Sequence, residues 1–83
     1  MSATLLEINE NSAVVAEKVV TYKRKEVIAA IPELQEKIKE TDKLLAEDSE
    51  NIEFQRLHAE HKYNLELYMA IKDAFEKEFP TRN

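Results

Sequence analysis

The chain has 83 residues, with no glycine, no cysteine, two prolines and a formal charge of −5. The absence of cysteine excludes a disulfide framework, a thiol nucleophile and a Cys-based zinc site. Twelve Lys and Arg against seventeen Asp and Glu do not make the basic footprint of a nucleic-acid binder, and no apolar run approaches the ~20 residues of a membrane span.

At this length one domain is expected over residues 1–83, with a small core that favours self-association or a partner. Hydrophobic residues make up 43% of the chain, too many for a disordered one. With glycine absent there are few ways to build hairpins or tight loops. The composition therefore predicts an all-α protein, either a helical hairpin or a three-helix bundle.

The first eleven residues read two ways. Thr4 and Glu7 fit a capping box that would start a helix at Leu5. Asn11-Ser12 would instead cap a later start and leave 1–11 as an arm. The stretch carries acidic residues and no basic one, so neither a secretory signal nor a transit peptide is expected, and the simplest expected location is cytoplasmic.

Residues 12–31 are predicted helical, with Val15, Val19, Val20, Val27 and Ile28 as candidate core. A second helical stretch covers 32–46, beginning at Ile31-Pro32-Glu33, where proline suits the first helical position. Yet Val20, Arg24, Val27, Ile31, Leu34, Ile38, Thr41 and Leu45 step by four and three straight through Pro32. Such a heptad-like seam suits one continuous, kinked helix of a coiled coil or bundle. A continuous helix over 5–46 would be about 60 Å long. It would overhang a shorter partner and expose Val14, Val15, Val19 and Val20, an apolar patch that a second chain or another protein would cover. A break at Pro32 would fold those valines into a three-helix bundle.

Residues 47–51 form a polar turn, and Asn51 or Ser49 is placed to cap the last helix. That helix runs over 52–79 and is stopped by Pro80, with a tail at 80–83. Phe54, Leu57, His61, Leu65, Tyr68, Ile71, Phe75 and Phe79 recur along one face. Tyr63 and Met69 lie off that stripe, so this helix is expected to pack against two neighbours.

Few residues suggest chemistry. His58 and His61 stand three apart, whereas the zincin motif spaces its histidines by four and di-iron bundles use Glu-x-x-His. The expected role is structural, with His61 at the core edge and His58 on its flank. A metal-binding or enzymatic bundle centred on these two is the alternative. Lys23-Arg24-Lys25, with Lys18 upstream, is the basic cluster. It reads as a solvated face, with Arg24 on the seam able to bury its stem and reach a carboxylate on a facing helix. Glu47, Asp48, Glu50 and Glu53 surround the turn without calcium-loop spacing. No glycine-rich phosphate loop or nucleophile elbow is present.

These features predict a non-enzymatic protein-interaction module (an adaptor, assembly factor or inhibitor) with no cofactor and no metal. Its partner would be another protein or a second copy of itself, with neither nucleic acid nor membrane as ligand. The interface residues predicted are Val15, Val19, Val20, Tyr22, Arg24, Tyr63 and Met69. A structural homodimer forming a four-helix bundle is the second reading. An acidic decoy for a basic DNA-binding protein is the weakest.

Overall fold

A computed structural model of the protein describes residues 5–15 and 20–80, with Val20 described by its backbone alone. Three short strands precede two long helices: β1 (Leu5–Ile8), β2 (Ser12–Val15), β3 (Val20–Lys23), α1 (Arg24–Glu47) and α2 (Ile52–Glu78). The strands pair antiparallel in the order β1-β2-β3. The arrangement is α+β. It corrects the all-α expectation in each of its forms: helical hairpin, three-helix bundle and coiled-coil bundle.

The predicted helix over 12–31 is divided between β2, β3 and the start of α1. Its first half is rich in β-branched residues and tyrosine (Val14, Val15, Val19, Val20, Thr21, Tyr22), which suit a pleated, half-buried surface better than a helix. Along β2, Ala13 and Val15 are buried while Ser12 and Val14 are only half-buried, the two-residue alternation of a strand with one face on a core. The capping box at Thr4–Glu7 is also corrected, since Leu5–Ile8 is a strand; Thr4 itself lies outside the described residues.

A hairpin without glycine is made possible by Asn9. Its side-chain Oδ1 accepts hydrogen bonds from the backbone N–H of Asn11 at 2.9 Å and of Ser12 at 3.0 Å. Its own N–H donates to the Ser12 carbonyl at 2.9 Å. An asparagine side chain thus mimics a backbone turn.

The register explains an exposed leucine. Ile8 faces Ala13 and Leu5 faces Val15, with an irregularity between Leu5 and Glu7. In a regular strand Leu5 and Ile8, three apart, would point to opposite faces. The extra residue of a bulge restores both to the inner face, and both pack against the core. Leu6 is the residue turned out, at 63% exposure.

Helix α1 begins directly after β3 and runs through Pro32, which lies inside it on the exposed side. A break there, and the three-helix bundle built on it, is therefore corrected. The helices have 24 and 27 residues, or about 36 and 40 Å, so they match in length. Of the predicted valine overhang, Val14 and Val15 lie in β2 and not on a helix, while Val19 and the Val20 side chain lie outside the described residues. Of the seam residues in α1, Val27, Leu34 and Thr41 are buried and Arg24, Ile31, Ile38 and Leu45 half-buried; this face lies against α2.

Asn51 caps α2 by accepting the Phe54 N–H at 3.2 Å. Gln55 closes the turn by donating to the Ser49 carbonyl at 2.8 Å. The core joins Ala13 and Val15 of the sheet to Val27 of α1 and Leu67, Ile71 and Phe75 of α2. Helix α2 thus packs on two neighbours, and the second is the chain's own sheet. Among the described residues no helix is long and apolar enough to cross a membrane.

Candidate functional site

Three segments distant in sequence meet where the sheet joins the helices: the β1–β2 turn, the β3–α1 junction and the end of α2. Arg24 fastens them together. Its Nη2 donates to the Phe79 carbonyl at 2.9 Å and its Nη1 to the Glu10 carbonyl at 3.4 Å. The guanidinium carbon lies 5.5 Å from the centre of the Phe75 ring, within range of a cation–π attraction. The Arg24 backbone N–H donates to the Asn11 carbonyl at 2.6 Å. Arg24 reaches backbone carbonyls of the β1–β2 turn and of the end of α2, where the sequence led to the expectation of a carboxylate on a facing helix. The Phe79 carbonyl lies just beyond α2, where a cation also complements the negative end of the helix.

Around this fastening lies an open cleft of about 1180 Å³. Its rim carries Lys23, Arg24 and Lys25 against the carboxylates of Glu10 and Glu78, and its apolar part is Ile28, Phe79 and Pro80. Ile28 is 48% exposed. Lys23 occupies the N-cap of α1, with no side-chain cap hydrogen bond, and Glu26 is the acidic residue of the first turn. Carboxylates are favoured at this positive helix end, and each cation there costs roughly 0.3–1 kcal/mol. Three consecutive cations break the local rule.

The remaining predicted interface residues are dispersed. Val15 is fully buried in the core. Tyr22 packs edge-on against Tyr68 with ring centres 5.6 Å apart, and Tyr63 packs against the same core. Met69 is exposed. Val19 and the Val20 side chain lie outside the described residues. Sequence reasoning named the cations of the cleft but missed Ile28 as a surface residue, and it had no means of placing Glu10 or Phe79 beside them. The signal available was the run of cations at a helix start.

Burial raises the Tyr22 hydroxyl above its ordinary value of 10.0, with the neighbouring Tyr68 and Tyr63 adding to the effect. The unfolded chain therefore ionises at this residue before the folded one does. Its contribution to stability is fully present below pH 10 and is lost as pH rises through the raised value. Urea denaturation between about pH 9 and pH 11 is expected to show a steeper loss for the wild type than for Tyr22→Phe. Equal slopes would contradict this.

His58 forms the second polar cluster. Its Nδ1 lies 2.7 Å from Thr41 Oγ1 and its Nε2 lies 3.3 Å from Asp42 Oδ1. Thr41 is 2% exposed and its hydroxyl also lies within 3.1 Å of the Lys37 carbonyl and 3.0 Å of the Ile38 carbonyl. The sequence of groups imitates a hydrolase triad, but the hydroxyl is shut away from any substrate and faces Nδ1, not the Nε2 used by serine hydrolases. Both ring nitrogens of His58 are engaged, so a metal would have to displace one partner. Among the described residues no group of three or more His, Cys, Asp or Glu could hold a metal ion.

A polar position on the apolar seam thus has its complement across the hairpin. Thr41→Val is expected to cost about 1–3 kcal/mol by leaving the half-buried Nδ1 of His58 without its partner. Adding His58→Leu should recover part of that loss in a double-mutant cycle, because the surviving partner is then also apolar. Strict additivity in urea denaturation would remove the coupling.

Comparison with known proteins finds no matching family model, no matching curated protein and no matching solved structure, which leaves the geometry of the chain to carry its functional reading.

Proposed function

We propose that this chain is a non-enzymatic module that binds another protein through the cleft between the β1–β2 turn, the start of α1 and the end of α2. One observation carries this reading. Lys23, Arg24 and Lys25 crowd the positive end of α1, at a cost to that helix, on the rim of an open cleft in an acidic chain. Departures from local sequence rules tend to concentrate at functional sites. An exposed isoleucine beside them supplies the apolar contact that a polar rim alone would lack.

The Thr41–His58–Asp42 cluster does not favour an enzyme, because its hydroxyl is buried and bonded. The lining of the cleft holds no histidine; its hydroxyls are those of Ser12 and Thr21, and the Ser12 Oγ accepts from the Asn9 side chain at 3.2 Å.

Selection from a random peptide library displayed on phage tests the proposal. The wild-type chain is expected to enrich a family of related peptides that Ile28→Asp no longer retains. Ile28 is about half exposed, so this variant should fold, and its melting temperature checks that it does. Failure to enrich any peptide, or equal retention by the folded Ile28→Asp variant, would refute the cleft as a binding site.

A further inference from the structure

We infer that the segment docking in this cleft is an acidic one, with carboxylates set beside an apolar anchor residue; this rests on the cleft being the binding site. The whole chain bears a net charge of −5, so it repels acidic partners at long range, and attraction for one must be local. The cleft provides it. Lys23 and Lys25 are both exposed, next to the positive end of α1. The Arg24 guanidinium is committed to the Phe79 and Glu10 carbonyls and the Phe75 ring. Arg24 is therefore a positioning residue that holds the walls, while the two lysines face the ligand.

The same lining distinguishes a peptide from a nucleic acid. A phosphodiester backbone carries a charge at every step and would meet Glu10 and Glu78 along with the lysines. A peptide can place its carboxylates at the lysines and an uncharged residue near each rim carboxylate. It can also set an aliphatic or aromatic side chain against Ile28, Phe79 and Pro80, for which a phosphate chain has no counterpart. Like-charge contacts at the rim then become the source of selectivity.

The cost of the cations to α1 gives the test a useful property. Lys23→Glu with Lys25→Glu places carboxylates at the favoured end of the helix. The double variant should be at least as stable as the wild type, and a loss of binding cannot then be assigned to unfolding.

Three fluorescein-labelled peptides serve as probes, each with a leucine flanked by two aspartates, two asparagines or two lysines. Fluorescence anisotropy on the intact chain is expected to show the aspartate peptide binding about tenfold tighter than the asparagine peptide, as two rim ion pairs allow. Added salt should reduce the difference. The charge-reversed double variant should exchange this preference for the lysine peptide.

Equal binding of the aspartate and asparagine peptides, or no exchange of preference in the double variant, would overturn the acidic assignment. If Ile28→Asp still abolished that binding, the cleft would stand as the site and only its partner chemistry would fall. No binding of any probe would overturn the assignment too. So would displacement of the aspartate peptide by a single-stranded oligonucleotide at lower concentration, which would assign the cleft to a phosphate backbone.

Discussion

Replacing Phe75 with alanine is expected to cost about 3–5 kcal/mol, a large share of the stability of a domain of this size. Phe75 is 1% exposed and belongs to the cluster that joins Ala13 and Val15 of the sheet to Val27 of α1 and Leu67 and Ile71 of α2. Its ring also lies under the Arg24 guanidinium. Alanine therefore removes the apolar volume and leaves the cation without its aromatic face. Phe75→Leu separates the two effects, keeping most of the volume and losing only the ring. It should cost about 1–2 kcal/mol, the range of a cation–π contact plus imperfect repacking. Urea denaturation gives both values. A loss below about 1.5 kcal/mol for Phe75→Ala would show that the sheet and the hairpin are not held by a shared core.

How much of this architecture was legible depends on the length of each pattern. Helix α2 offered eight apolar or histidine positions at helical spacing, a capping asparagine and a terminating proline. That register was readable, although Leu57 proved exposed and Leu67, off the expected stripe, buried. The seam of α1 was readable for the same reason. The strands have four residues each, which leaves about two inward positions per strand. A pattern that short fits a helix or a strand equally. In β1 the bulge moved Leu5 and Ile8 to one face, so even the alternation was lost.

Positive φ at a glycine is not the sole route to a hairpin: the Asn9 carboxamide supplies two backbone N–H groups with an acceptor. The cluster of β-branched residues from Val14 to Thr21 was the better guide. At the cleft, the cations were visible in the sequence. Their proximity to Phe79, 55 residues after Arg24, depends on tertiary packing and has no local signature. Thr41 had one: a polar residue on an apolar seam calls for a partner across it, and His58 provides it.

Pro32→Ala is expected to raise stability by about 1–2 kcal/mol, against the direction of most substitutions. The proline sits inside α1, eight positions beyond Arg24, well past the first turn where its missing N–H would cost nothing. There it leaves the Ile28 carbonyl without its helical partner, and interior proline is about 3 kcal/mol less favourable than alanine. Part of that penalty is already offset. Pro32 and Ile28 are both exposed, so water can reach the Ile28 carbonyl, and a proline also restricts the unfolded chain. For a domain of 60–100 residues the net gain corresponds to a melting temperature roughly 4–16 °C higher. An unchanged or lowered temperature would show that the proline costs α1 nothing at this position. The same variant bears on the cleft, because Ile28 lies one turn before the proline. Restoring a hydrogen bond to the Ile28 carbonyl would tighten that turn and shift Ile28 relative to Phe79, and peptide binding would weaken even as the fold gained stability. Opposite changes in melting temperature and in peptide affinity would therefore mark Pro32 as a residue kept for the shape of the cleft at the expense of the helix.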